Sequence, residues 1–239
     1  MALRIEAATR ACVIAAVFAF GARAQTHTYA VRHRHLHGGA EGTLRVTETS
    51  VSFDETRKKN RCSRTWNYDD IQKLELSADT LRITTYEDRA REFGRDRVWL
   101  FDKLPPDLSR ELYPAWSKRL DQRFVAALAD DHIKPDWRIP AKLMHGLSGY
   151  QGELLFAHDL VVFKTPAPQQ SRTWRITDIG NAASADPFDL TINTREGDYR
   201  FQLKEALPES AYRALWRQVN LTRGLQILSQ SASSSGEPK

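Results

Sequence analysis

Histidine is sparse in this 239-residue chain, with seven in all. Four of the seven, His27, His33, His35 and His37, crowd one short stretch. Residues two apart on a strand share a face, so His33, His35 and His37 would line up three imidazoles, a set able to hold Zn²⁺ or Cu²⁺. Arg32 and Arg34 flank them, and no acidic or cysteine ligand is close in sequence. A solvated basic strand explains the run as well, so these three are weak metal candidates and no metal or cofactor is expected. His37-Gly38 ahead of Gly42 is echoed by His145-Gly146 ahead of Gly152. That echo reads as a turn relaxed by glycine or as a shared pocket residue.

Nucleophile patterns are thin. His145-Gly-Leu-Ser148-Gly lacks the G-x-S-x-G spacing of a hydrolase elbow. CxxC, HExxH, a dinucleotide-binding glycine loop and a P-loop are all missing. Asp69-Asp70 and Asp130-Asp131 read as a strand end and a helix exit. The chain is therefore not expected to be an enzyme. Cys62 stands between Arg61 and Arg64, which could lower its thiol pKa, but a packed free thiol is the simpler reading.

Basic residues offer other contacts. Arg57, Lys58, Lys59 and Arg61 form a charged loop that cannot pack. Ser63-Arg-Thr-Trp66 recurs as Ser171-Arg-Thr-Trp174, placing Arg64 and Arg172 on the strand face of Trp66 and Trp174. Each Arg stem can lie on its Trp, or the pair can form a platform for a sugar or anionic head group. Lys58, Lys59, Arg61, Arg64 and Arg172 are the candidate ligand or partner contacts.

The recurrence of that tetrapeptide is one anchor in an ordered series. Gly42-Thr-Leu answers Gly152-Glu-Leu, Val51-Ser-Phe53 answers Val161-Val-Phe163, and Asp70-Ile71 answers Asp178-Ile179. Leu104-Pro105 answers Leu207-Pro208, and Trp116 is set against Trp216. The series predicts two similar domains, 30–130 and 150–228, with 131–149 as linker and 229–239 as a disordered tail. In the first, alternating apolar residues predict strands around 44–46, 51–53, 66–76, 80–86 and 98–101. The charged run Asp88–Asp96 predicts a solvated hairpin tip. Leu108, Leu112, Trp116, Leu120, Phe124 and Leu128 fall four apart, which predicts one long amphipathic helix containing Pro114. The second domain repeats the plan, with a helix over 211–219.

This run of strands closed by a proline-led helix resembles the pleckstrin-homology-like (PH-like) superfold, with Trp116 and Trp216 as the inward-facing helix aromatics. The resemblance implies an α+β, mainly β protein: two similar bent antiparallel barrels, each closed by a C-terminal amphipathic helix. A lipocalin-like or sandwich arrangement stays open. It implies a non-catalytic binding or scaffolding protein for a protein, peptide or lipid partner. The alternatives are a small-ligand carrier for lipid or sugar and a hydrolase or metal enzyme using His33, His35, His37 or His145. Some PH domains grip head-group phosphates with a basic loop, which Lys58, Lys59 and Arg61 match only in part.

The compartment follows from residues 1–24: basic Arg4 and Arg10, the apolar run 11–21, then Ala22-Arg23-Ala24 before Gln25. That pattern predicts a signal peptide cut near Ala24-Gln25 and a periplasmic or extracellular protein. Cleavage lowers the net charge from +5 to +3 by removing three arginines and one glutamate. Mixed charge and export argue against nucleic acid, and at most weak contact with anionic membrane is expected.

Overall fold

The computed structural model describes residues 26–35, 38–57, 62–89, 92–121, 123–146 and 148–234. The predicted signal peptide, His37, Lys58, Lys59 and Arg61 lie outside the described residues. The first half runs β1 (His27–His35), β2 (Gly38–Val46), β3 (Ser50–Glu55), β4 (Arg64–Asn67), β5 (Ile71–Ser77), β6 (Leu81–Arg89), β7 (Glu92–Asp102) and α1 (Pro106–Arg119). A short strand, β8 (Phe124–Ala127), follows. The second half runs β9 (Trp137–His145), β10 (Ser148–Phe156), β11 (Leu160–Lys164), β12 (Arg172–Arg175), β13 (Ile179–Ala183), β14 (Asp189–Thr194), β15 (Gly197–Leu203) and α2 (Glu209–Ser234).

The halves follow one plan. Spatial order is β5-β6-β7-β1-β2-β3-β4 in the first and β13-β14-β15-β9-β10-β11-β12 in the second. Val51 faces Trp66 across β3 and β4, as Val161 faces Trp174 across β11 and β12. The register slip between Ile71 and Lys73 in β5 recurs between Ile179 and Asn181 in β13. Each half closes its own core: Trp66 lies 6.1 Å from Phe101, and Trp174 lies 6.2 Å from Phe201, both edge-on. Gly42 and Gly152 serve these cores alike. A Cβ on either would stand 2.4 or 2.3 Å from a carbonyl oxygen of the next strand and within 3 Å of the Phe53 or Phe163 ring.

Two barrels are not formed. All fifteen described strands belong to one sheet whose outermost members are β13 and β4, and among the described residues no ladder joins β4 to β5 or β12 to β13. The four-residue strands β4 and β12 run straight into single 3₁₀ turns, Tyr68–Asp70 and Ile176–Asp178, which carry the chain off the ladder. Strand β8 then joins the halves, pairing parallel with β5 (Leu74 opposite Phe124, Leu76 opposite Ala126) and antiparallel with β12 (Ala126 opposite Thr173).

The expected long helix is also corrected. Helix α1 stops at Arg119, where Leu120 turns extended at φ −88° and ψ 142°. Phe124, Val125, Ala126 and Ala127 are all buried, the continuous apolar run of a strand covered on both faces, and Phe124 continues the four-residue spacing of Trp116 and Leu120 only by coincidence. Trp216 does not match Trp116. Trp116 is 1% exposed and donates its Nε1–H to Tyr68, whereas Trp216 is 51% exposed. The offset set by Leu104-Pro105 and Leu207-Pro208 instead aligns the inward residues Leu108, Leu112 and Trp116 with Ala211, Leu215 and Val219, all buried. Of the charged run, Asp88 and Arg89 at the end of β6 pair with Asp96 and Glu92 of β7. Strand β9 occupies much of 131–149, and α2 continues to Ser234.

Candidate functional site

Alternation along β1 does bring two of the histidines together. His33 and His35 point to the same side, with ring centroids 4.3 Å apart. His33 is 5% exposed, set among Phe53, Trp99 and Phe101 at centroid distances of 5.0 to 5.9 Å. Its Nδ1 is buried without a hydrogen-bond partner. Burial, helped by the neighbouring His35 and Arg97, lowers its pKa to about 4 and keeps the ring neutral. His35, at the exposed end of the strand, meets Cys62, whose Sγ lies 3.2 Å from its Nε2. Cys62 is held in the β3–β4 connection by its backbone N–H, which donates to Glu55 Oε2 at 3.2 Å. Burial first, and then Glu55, raise the thiol pKa. One ligand atom from each of His33, His35 and Cys62 falls within 4.8 Å of the others.

Sequence reasoning named the two histidines but set Cys62 apart, because 27 residues separate it from His35. A signal was present. Strand pairing aligns His33, opposite Phe101, with Leu143, opposite Phe201. The motif Cys62-Ser-Arg-Thr-Trp aligns Cys62 with Gln170. The repeat is therefore broken at two positions that meet in space.

The repeated arginines are engaged inside each half. Arg64 pairs with Glu87 and lies 5.9 Å over the Trp99 ring, not over Trp66. Arg172 lies 3.7 Å from Glu196 and donates to Tyr199 Oη at 3.3 Å, and Tyr199 in turn donates to Glu196 at 2.7 Å. Burial raises the Glu196 pKa, opposed by Tyr199 and Arg172. The Thr of the motif does something different in each copy. Thr173 is buried, accepts the Asp130 N–H at 3.0 Å and donates to the Leu128 carbonyl at 2.8 Å, clasping the chain just beyond β8. Thr65 is exposed on the outer strand β4. Cys62 is the one cysteine among the described residues and is unpaired, so no disulfide crosses the fold.

The second feature is a groove. In the first half β8 lies along the free edge of β5, against α1. The matching edge of β13, against α2, pairs with no described strand. It borders a cleft of about 290 Å³ lined by Asp178, Ile179, Gly180, Thr194, Arg195 and Arg223, among others. Arg223 Nη1 donates to the Gly180 carbonyl at 2.7 Å, covering one edge acceptor. Arg175 locks the two halves: its guanidinium donates to the carbonyls of Ser117, Leu120 and Asp121 at the end of α1, and to both oxygens of Asp178.

No family model matches the chain, and no curated protein matches it. Solved structures show weak likenesses. The C-terminal domain of an unknown protein from Leishmania infantum is 17% identical with a TM-score of 0.30, over 47% of this chain and 94% of that one. The Spt16D Pob3N heterodimer is 10% identical with a TM-score of 0.33, over 76% of this chain and 98% of that one. At such scores neither likeness carries a conclusion about this chain.

Proposed function

We propose that the chain is a non-catalytic, exported binding protein, a duplicated PH-like unit without closed barrels, that docks an extended acidic segment of a protein partner along β13. One observation carries this reading. The first half already holds an extended strand at the equivalent place, β8 along β5, while the β13 edge pairs with no described strand and has a cleft beside it. Unpaired strand edges are templates for a strand from another chain. Arg223 and Arg195 line the cleft, so a carboxylate is the matching side chain. Phe163, Phe201 and Trp174 fill the second core, which favours an edge-bound peptide over a lipid or sugar held inside. Export rests on the pattern of residues 1–24.

A displayed library of random peptides tests the reading. Enriched sequences should carry Asp or Glu, bind the purified chain, and lose at least about tenfold in affinity to the Arg223→Glu variant, a charge reversal inside the cleft. Failure to enrich any peptide, or binding indifferent to Arg223→Glu, overturns it. Binding to phosphatidylglycerol vesicles that Arg223→Glu leaves unchanged points to a lipid surface instead, and also overturns it.

A further inference from the structure

We propose that His33, His35 and Cys62 form a site for a thiolate-seeking d¹⁰ cation, Zn²⁺ or Cu⁺. This site is separate from the β13 groove. Two neutral imidazoles and one thiolate are the donor set that borderline and soft ions prefer over Mg²⁺ or Ca²⁺. Tetrahedral coordination by such ligands sets donor atoms about 3.5 Å apart. The three donor atoms already lie within 4.8 Å, with Sγ and His35 Nε2 at 3.2 Å, so rotation of exposed His35 and the Cys62 side chain closes the shell. Glu55, which accepts the Cys62 N–H, stands behind the sulfur as its supporting group. The fourth position is left for water.

Packing does not require these residues. A buried polar atom without a partner costs stability, and His33 Nδ1 is one. The other half shows what the fold alone accepts at that place: buried Leu143, opposite the equivalent Phe201, with Gln170 where Cys62 stands. His145 keeps the place of His35 and lies tilted 6.0 Å from the Tyr150 ring, with no thiol partner among the described residues. An apolar residue fits there, yet the first half places an imidazole and brings a thiol to it. The rings of Trp99, Phe53 and Phe101 wall the inner side and limit water to the outer one. On binding, the Cys62 thiol gives its proton to solvent and the sulfur lone pair goes to the metal, with no change in oxidation state. Arg97, whose charge acts on His33, is already directed at Glu87 at 3.6 Å and at the Trp99 face at 4.5 Å.

The test uses the untagged full chain, stripped with EDTA, and Zn²⁺ or Cu⁺ supplied as single probes. One equivalent should bind, shield the Cys62 thiol from alkylation, and, with Co²⁺ in its place, give a thiolate-to-metal absorption band. His33→Leu, which installs the residue the second half uses and so preserves the fold, should weaken binding by more than about 100-fold, beyond the loss from a merely supporting residue. Cys62→Ser should do the same, and His145→Leu should change nothing. Protection by Zn²⁺ alone or by Cu⁺ alone supports the site and identifies its ion. Failure of both ions to shield Cys62, or undiminished binding in His33→Leu with a wild-type circular dichroism spectrum, overturns it.

Discussion

Replacing Thr173 with valine should reveal how the two halves are held in one sheet. The side-chain volume hardly changes, but the hydroxyl that accepts the Asp130 N–H at 3.0 Å and donates to the Leu128 carbonyl at 2.8 Å is lost. Each net hydrogen bond is worth roughly 0.5–1.5 kcal/mol, and stranding a buried partner costs about 1–3 kcal/mol. Two backbone groups at this half-buried junction together give about 3 kcal/mol. For a chain of this size that lowers the melting temperature by about 6–12 °C. The repeat supplies its own control. Thr65 occupies the same place in Ser-Arg-Thr-Trp, on the exposed edge β4, so Thr65→Val should change stability by under about 0.5 kcal/mol. Thr173→Ser should recover most of the loss. Thermal and urea unfolding of the three variants measure this, with amide exchange at Ala126 reporting the β8–β12 pairing. Equal shifts for Thr173→Val and Thr65→Val would refute the junction as described.

Arg175→Ala should cost about 2–4 kcal/mol in urea unfolding, because it leaves the carbonyls of Ser117 and Leu120 at the end of α1 and the Asp178 carboxylate without their shared donor. Arg175→Lys should recover less than half, since an ammonium cannot span that fork. Gly152→Ala sets a Cβ 2.3 Å from the Lys164 carbonyl and should destabilise by about 1–3 kcal/mol, whereas Gly180→Ala, whose nearest neighbour is 3.6 Å away, should be close to neutral in the same melts. With EDTA present, stability should rise with pH between about 4 and 6.5. There the unfolded chain protonates His33 and the folded one does not, so its stability is complete above 6.5 and lost as pH falls. His33→Leu should flatten that part of a pH series of urea midpoints.

Much of the fold was legible because it is local. Period-two alternation around Leu44, Val51 and Leu81 marks strands whatever they pair with, and the doubled Ser-Arg-Thr-Trp with its flanking anchors marks a copied unit. The end of α1 was not legible. Phe124 and Leu128 continue the spacing of Leu112 and Trp116, and only the β5 and β12 edges, which pair with it on either side, turn 124–127 into a strand. Aligning Trp116 with Trp216 failed for a related reason: matching by residue type ignores the helix register that Pro105 and Pro208 set. For the candidate metal site, alternation already placed His33 and His35 on one face. Cys62 reaches them only because the β3–β4 connection returns over the end of β1.

The amino-acid order by itself determined most of the strands and where the helices begin, that the unit occurs twice, and which two histidines share a side, since these depend on neighbours along the chain. Tertiary structure alone decided that the copies merge into one open sheet, that β8 fills one groove and leaves its counterpart free, and that a thiol meets two imidazoles. Those outcomes depend on which edges and loops come together in space, and hydrogen bonds between distant segments leave no periodicity to read.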